Sequence, residues 1–253
     1  MLSVERKLKI AELVDRNGGI KTSDLSSMFN VSEMTILRDL STLEEEGILK
    51  RVYGGAVNIK NSTKELSVII RKHIHPEEKN IIAEKALKFI SSGESFFLDG
   101  STTTLALARK LAARNLEITV ITNGLDIINE LKENENIKTI CPGGELQKST
   151  LSFIGPYTEN FLKDIFADKS FISASGISLK SGITVENSTQ AALKKIMLEN
   201  SFEKIILLDS SKFDVTRLSK VCLIENVSTI ITDKKPPEQY VQYFKKSNVN
   251  IVY

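Results

Sequence analysis

From Pro76 onward the chain alternates between two hydrophobic periods, and this alternation restricts the fold more than any other feature. Ile82, Ala86 and Phe89 recur at helical spacing until Gly93, and Phe96 to Leu98 is then a short apolar run. Leu105, Ala108 and Leu111 mark a helix, "EITVIT" a strand, Ile128 and Leu131 a helix, and "IKTI" a strand. "KSFISAS" reads as a strand, about Thr189 to Leu198 as a helix, and "KIILLD" and "TIITD" as strands, the second leading through Pro236-Pro237 to a last helix. Strands separated by helices run mostly parallel, because each crossover returns the chain to the same end, and the helices then cover both faces. The fold expected for 76–253 is a doubly wound, mostly parallel α/β domain.

The carboxyl end of each strand leads into small, polar residues: Asp99-Gly100-Ser101, Thr122-Asn123-Gly124, Gly143-Gly144, Ser173 to Gly176, Asp209-Ser210-Ser211-Lys212 and Thr232-Asp233. Any loop between a strand and a helix tends to be polar, which explains much of this pattern. It explains "DGSTTT" less well. Ser101, Thr102, Thr103 and Thr104 fall in a loop and the first turn of a helix, where hydroxyl donors stand beside free backbone N–H groups. That geometry suits a phosphate, and ligands of open parallel sheets bind outside the carboxyl ends of the strands. There is no GxxxxGK[ST] or GxGxxG, so neither a nucleoside triphosphate nor a dinucleotide is indicated, and no cofactor is expected.

The first sixty residues have a different plan. Val4, Leu8, Ala11 and Val14 make a helix from about Ser3 to Arg16, ended by Asn17-Gly18-Gly19. A second helix starts at Thr22 or Ser23 and is expected to bury Leu25, Met28 and Phe29. After Asn30, Ser32 caps a third helix whose buried stripe is Ile36, Leu40 and Leu43, with Val31 and Ile36 placed as a hydrophobic staple. Two short helices around a tight turn form a helix-turn-helix, whose second helix enters the major groove by its first turns. Glu33, Met34, Thr35 and Arg38 face outward there; Ser32 and Thr35 are short enough to approach phosphates, and Arg38 reaches a phosphate or a guanine edge. Thr22, at the start of the second helix, is placed with this set. "GILKRVYGGAV" then reads as a helix stop, a strand, a Gly54-Gly55 turn and a return strand, a wing that offers Lys50, Arg51 and Tyr53 to the phosphate backbone. The rival reading is a plain helical packing module. Net charge does not decide between them: residues 1–60 hold nine Lys and Arg against nine Asp and Glu.

The polar stretch Asn58 to Leu66 places a boundary, giving 1–58 as the small domain, 59–75 as a linker and 76–253 as the larger domain. His73 and His75 in the linker lack a third ligand at suitable spacing, so no metal site is expected. Cys141 and Cys222 have no CxxC partner, the N-terminus shows no apolar signal region, and no apolar run approaches the ~20 residues of a membrane span. The expected compartment is the cytoplasm.

"VSEMTILRDLSTLEEEGILKRVYGGAV" resembles the winged helix-turn-helix of DeoR-family bacterial repressors, through Ser32, Thr35-Ile36, Arg38-Asp39-Leu40, the Leu43-to-Gly47 segment and Gly54-Gly55-Ala56, without gaps. Leu37 departs from the family, which has two adjacent basic residues before the Asp. The larger half resembles the family's sensor domain, itself similar to ribose-5-phosphate isomerases. The resemblance implies that Asp99, Gly100, Ser101, Thr102 and Thr103 hold a sugar phosphate. It also implies that Gly143 and Gly144 belong to the site and that Lys212 in "LDSSKF" is an anion partner; Asn123, at a strand's carboxyl end, Ser175 and Lys194 are placed with the effector-binding residues. Lys194 lies where the isomerases carry a catalytic carboxylate, and "SASGIS" stands in place of their acidic loop, with Ser175 and Ser178 for carboxylates. Ser175 and Gln190 depart from the sensor family too, which usually keeps an Asp and often a Glu there.

A hydroxyl near neutral pH is a poor general base without activation, so these departures favour a receptor over an enzyme. The expectation is a repressor of carbohydrate-metabolism genes. It binds double-stranded operator DNA, is controlled by a phosphorylated sugar or related metabolite, and forms a homodimer or homotetramer. The rivals are an isomerase-like enzyme with an accessory DNA module and a purely structural interaction protein.

Overall fold

A computed structural model describes residues 2–59 and 67–253, which divide into two compact units, Met1–Pro76 and Glu77–Tyr253. The first unit runs α1 (Ser3–Asn17), β1 (Gly19–Lys21), α2 (Thr22–Phe29), α3 (Glu33–Glu45), β2 (Leu49–Val52), β3 (Gly55–Asn58) and α4 (Val68–His73). Its core is Ile10, Ala11 and Val14 of α1, Leu25 of α2, Ile36, Leu40 and Leu43 of α3, then Leu49, Ala56, Ile70 and Ile74. The apolar stripe of α3 is buried as its spacing predicts; full burial of each such side chain is worth roughly 1.5–3 kcal/mol. Two expectations fail: Val4 and Met28 are exposed, because α1 turns Arg6 and Ile10 inward and α2 is too short to bury more than one side of its last turn.

Asn30, in the left-handed region at φ 50°, ends α2, and Ser26 Oγ donates to Val31 O at 2.6 Å, which closes the turn before α3. The three strands form an antiparallel sheet in the order β1-β3-β2. The wing turn is Tyr53-Gly54 rather than Gly54-Gly55. Val52 pairs with Gly55, and a Cβ on Gly55 would stand 2.3 Å from Ile20 O, so the backbone of β1 comes too close for any side chain. β1 itself, three residues after a Gly18 cap, carries no strand pattern of its own. Of the expected linker 59–75, residues 60–66 lie outside the described residues, and Val68–His73 is a helix whose Ile70 joins the first unit's core. His75 Nε2 meets Asp15 Oδ2 at 2.8 Å, and Asn58 Nδ2 donates to Asp15 Oδ1 at 2.7 Å.

The second unit continues with α5 (Pro76–Leu87), β4 (Ser95–Leu98), α6 (Thr102–Ala112), β5 (Ile118–Thr122), α7 (Leu125–Leu131), β6 (Ile137–Ile140), β7 (Glu145–Gln147), β8 (Ser152–Ile154) and α8 (Pro156–Lys163). It closes with β9 (Ala167–Ser173), β10 (Gly176–Ser178), β11 (Gly182–Val185), α9 (Ser188–Glu199), β12 (Ser201–Leu207), β13 (Ser219–Cys222), β14 (Thr229–Ile231), α10 (Glu238–Lys246) and β15 (Asn250–Val252). Seven strands form one sheet in the order β15-β14-β12-β9-β4-β5-β6, with every neighbouring pair parallel. Side chains alternate between two cores. Phe97, Ile121, Ile172, Ile206 and Ile230 pack with Leu193 and Met197 of α9 and with Tyr240 and Phe244 of α10. Phe96, Leu98, Val120, Phe171, Ile205 and Leu207 pack with Ile82 of α5, Ala108 and Leu111 of α6 and Leu131 of α7. This is the doubly wound architecture that alternating short strands and helices require.

Two small sheets stand beyond the carboxyl ends, the hairpin β7-β8 and the antiparallel β10-β11-β13. The chain builds the large sheet one way through β4, β5 and β6, then crosses to the other side of β4 for β9, β12, β14 and β15. The strand order therefore reverses between β4 and β9, and a crevice opens at such a reversal.

Candidate DNA-reading face and ligand site

Ser32 caps α3: its Oγ accepts the Thr35 N–H at 3.2 Å and lies 2.9 Å from Thr35 Oγ1. The two hydroxyls are thus pinned to the helix start, which orients the first turn. Glu33, Met34 and Arg38 are exposed on the face opposite Ile36 and Leu40. On the wing, Lys50, Arg51 and Tyr53 are exposed, and Glu44 Oε1 accepts the Arg51 N–H at 2.8 Å, tying the wing to the end of α3. Thr22 does not join this set. Its side chain is buried at 4% exposure, its hydroxyl has no partner among the described residues, and its N–H donates to Gly54 O, because Lys21 rather than Thr22 is the cap of α2.

The contact that holds α3 in place has no counterpart in the sequence pattern. Asp39 and Arg6 are both buried, with Arg6 Nε 2.5 Å from Asp39 Oδ2 and Nη2 3.3 Å from Oδ1. The paired bonds fix the rotation of α3 against α1. An Arg at one helical position and an Asp 33 residues later give no local signal of this.

At the reversal between β4 and β9, the "DGSTTT" hydroxyls divide into two groups. Ser101 is the N-cap of α6, accepting the Thr104 N–H at 3.2 Å; Thr104 Oγ1 donates to Asp99 O at 2.5 Å; Thr103 Oγ1 accepts from Ser173 Oγ at 3.3 Å. Those three hold the loop. Thr102 Oγ1 has no hydrogen bond among the described residues, and neither do the backbone N–H groups of Thr102 and Thr103. Three donors therefore remain at the start of an eleven-residue helix, whose dipole favours negative charge there.

Asp99 is not an open ligand group. Its Oδ2 accepts from Lys194 Nζ and its Oδ1 from the Ser173 N–H at 3.0 Å, with both side chains buried. Lys194 is thus a paired cation at the crevice, reaching from α9 to the end of β4. Gly100 is shaped by close approach: a Cβ there would lie 2.2 Å from Ser152 Oγ and 3.1 Å from Gly124 Cα. Asn123 is a buried bracket, its Oδ1 accepting the Gly100 N–H at 3.0 Å and its Nδ2 donating to Phe153 O at 3.0 Å. It ties the first loop to the hairpin β7-β8. Gly143 O accepts from Thr158 Oγ1 at 2.9 Å, and Gly144, at φ 148°, has no room for a Cβ beside that same hydroxyl.

Lys212 is half-buried and stands 3.8 Å from Asp209 Oδ2, whose Oδ1 accepts the Ser211 N–H at 3.0 Å. Ser175 Oγ donates to Glu186 Oε2 at 2.6 Å, and Arg217 Nε stands 3.7 Å from Glu186 Oε1. Gln190 Nε2 donates to Gln147 Oε1 at 2.9 Å, which also accepts from Thr150 Oγ1 at 2.9 Å. At the end of β14, Lys85 Nζ donates to Thr232 O and Asp233 O at 2.9 Å each; burial draws its pKa down, against the pull of Asp233. Gln147, Thr150, Ser152, Glu186 and Arg217 sit on short strands and turns whose patterns are too brief to read, so no sequence signal marks them. Among the described residues no cluster of His, Cys, Asp and Glu is arranged to hold a metal ion, and no helix is long and apolar enough to cross a membrane.

A winged helix with an exposed reading turn, joined in one chain to a doubly wound domain with a donor-lined turn at its strand reversal, defines a DNA-binding regulator with a sensor domain. Comparison with known proteins makes the class specific. Residues 6–62 match the DeoR-like helix-turn-helix domain and residues 74–234 the DeoR C-terminal sensor domain. The uncharacterized HTH-type transcriptional regulator YulB of Bacillus subtilis is 40% identical over 233 residues, 92% of this chain and 90% of that protein. The HTH-type transcriptional regulator GolR of Listeria innocua is 35% identical over 251 residues, 99% and 98% of the two chains. Among solved structures, ribose 5-phosphate isomerase A of Methanocaldococcus jannaschii is similar at 18% identity and a TM-score of 0.41, over 55% of this chain and 54% of that one, too distant to bear on function. The chain belongs to the DeoR family. It is a DNA-binding transcriptional regulator and not an enzyme.

Proposed function

We propose that the chain is a cytoplasmic, homo-oligomeric repressor of carbohydrate-metabolism genes, controlled by a phosphorylated sugar bound in the second unit. Operator contact falls to Ser32, Glu33, Met34, Thr35 and Arg38 on α3 and to Lys50, Arg51 and Tyr53 on the wing. The effector meets Gly100, Ser101, Thr102 and Thr103, with Asn123, Gly143 and Gly144 shaping the loops and Lys194 and Lys212 as nearby cations held by Asp99 and Asp209. Relatives support the sugar reading: the putative aga operon transcriptional repressor of Escherichia coli O157:H7, 31% identical over 98% of this chain and 93% of that protein, and the lactose phosphotransferase system repressor of Staphylococcus epidermidis, 33% identical over 96% and 99%. A relative named the L-fucose operon activator, from Haemophilus influenzae, is 34% identical, so the sign of regulation is what a reporter assay must read.

The observation that carries the ligand reading is the trio of unsatisfied donors, Thr102 N–H, Thr103 N–H and Thr102 Oγ1, at the strand reversal. A ligand that binds only the native state raises the melting temperature by mass action. The test is a thermal-shift series of the full chain against inorganic phosphate and sugar phosphates, repeated with Thr102→Val. The expected result is stabilisation by phosphorylated compounds that weakens in the variant; no stabilisation by any phosphate would refute the reading.

A further inference from the structure

Glu186 comes directly after β11 and immediately precedes Asn187, the N-cap of α9. It is a carboxylate held in place: Ser175 Oγ donates to Oε2 at 2.6 Å, Arg217 Nε stands 3.7 Å from Oε1, and the side chain keeps 15% of its surface. A short path of backbone and hydrogen bonds links it to the donor trio. Ser175 lies two residues beyond Ser173, whose N–H is on Asp99 and whose hydroxyl is on Thr103. Two residues of extended backbone cover at most about 7 Å. Helix α9 spans the same interval. Helical side chains lean toward the helix N-terminus, so Gln190 and Lys194 extend toward the Glu186 end while Lys194 holds Asp99.

The two ends of the interval have opposite chemistry. The α6 start offers two backbone N–H groups and a hydroxyl able to donate, and suits an anion. An ionised carboxylate only accepts, so it repels a phosphate and binds O–H groups. Ser175 occupies part of its acceptor capacity, Arg217 stands by as a counter-charge at 3.7 Å, and a carboxylate has about four lone-pair sites, which leaves room for ligand hydroxyls. A molecule matching both ends has a phosphate at one terminus and hydroxyls a few carbons away.

We infer that Glu186 is the specificity-determining residue of the ligand site, accepting hydrogen bonds from the hydroxyls of a sugar or polyol monophosphate, with Ser175 and Arg217 as its positioning residues. This rests on the phosphate reading of the α6 turn. The test titrates the full chain calorimetrically with propyl phosphate, which carries no hydroxyl, with glycerol 3-phosphate and with ribose 5-phosphate, in wild type, Glu186→Ala and Glu186→Gln. The expected result is that the hydroxylated phosphates bind wild type about tenfold or more tighter than propyl phosphate, the margin of a hydrogen bond to a charged group. Glu186→Ala is expected to erase that margin and Glu186→Gln to restore part of it, with propyl phosphate unchanged throughout. Equal affinity of all three compounds for wild type, or a margin that survives in Glu186→Ala, overturns the inference alone. Equal loss of propyl phosphate in Glu186→Ala assigns the residue a structural role and overturns it too. Failure of every compound, propyl phosphate included, overturns the phosphate reading itself.

Discussion

Removing either member of the Asp99–Lys194 pair should destabilise the second unit far more than removing both. The two side chains are among the most buried charges in the chain, and Asp99 has one further hydrogen bond, from the Ser173 N–H at 3.0 Å. Lys194→Met keeps the length of the stem and leaves a carboxylate with that single bond. Asp99→Asn keeps an acceptor for Ser173 and leaves an ammonium with no counter-charge. Each single change should cost about 3–5 kcal/mol, the cost of stranding one charge of a buried pair. For a unit of this size that lowers the melting temperature by about 6–20 °C, at roughly 2–4 °C per kcal/mol. The double variant buries no charge, and it should recover most of the loss, to within about 1–2 kcal/mol of wild type. The assay is urea unfolding of the full chain, monitoring the transition of the second unit, for all four proteins of the cycle. Losses below about 1 kcal/mol in both singles, or a double variant whose loss is their sum, would show that water already solvates the pair, and the reasoning would fail.

Three further outcomes are expected. Arg38→Ala should weaken operator binding in a gel shift by about 1–3 kcal/mol and, where the contact is to phosphate, flatten the salt dependence by about one unit of slope; unchanged affinity removes Arg38 from the contact set. Asp39→Ala strands the buried Arg6 and frees the rotation of α3, so it should abolish operator binding and lower the melting temperature of the first unit; normal operator affinity would show that the pair does not orient the reading helix. Burial, then the Asp214 carboxylate, push Tyr240 up to about 12 from an ordinary 10.0. Its contribution to stability is therefore complete below about pH 10 and is lost as pH rises through about 12. Tyr240→Phe should cost about 1–2 kcal/mol at neutral pH, through the lost bonds to Asp214 Oδ1 and Ile177 O, and should remove that part of the alkaline decline; an identical alkaline profile would refute the assignment.

Most of the large sheet was legible because its inner strands carry short apolar runs that end at a recognisable break, as at Phe96-Phe97-Leu98-Asp99. The helix-turn-helix was legible for the same local reason: a cap at Ser32 and a stripe through Ile36, Leu40 and Leu43 lie within a dozen residues. The features that escaped depend on contacts distant in sequence. β1 exists because β3 needs a partner and Gly19 and Gly55 allow close backbones, and β15 exists because β14 has an open edge. Nothing in "GIK" or "NIV" announces either. The same holds in the site. "DGSTTT" identifies a turn rich in donors, but which hydroxyls stay free is decided by Asp99, Ser173 and their neighbours, and Lys194 is drawn into a pair by an Asp 95 residues earlier.

That division of hydroxyls constrains how a signal can leave the site. Ser101, Thr103 and Thr104 already bond within the protein, and Asn123 and Ser152 hold Gly100 from the other side, Ser152 Oγ donating to Gly100 O at 3.3 Å. The α6 turn is therefore held by the protein's own hydrogen bonds, and under the proposed reading a phosphate at Thr102 would need no rearrangement of the loop. A ligand shifts an equilibrium only through contacts that differ between two states, and a preformed turn supplies none by itself. The hairpin β7-β8 has two separable sets of attachments, one to the turn through Ser152 and Asn123 and one to α9 through the bonds of Gln147 and Thr150 with Gln190. A ligand held at Thr102 and Thr103 that also touches α9 competes for or reinforces the second attachment while leaving the first intact. The state that DNA binding reads should accordingly respond to Gln147→Ala, which removes the stronger of the hairpin's two bonds to Gln190 of α9, more than to Thr102→Val, which only weakens the hold on the anion. Operator affinity of the ligand-free protein is the measurement: a Gln147→Ala variant that binds operator as wild type does would place the switch elsewhere.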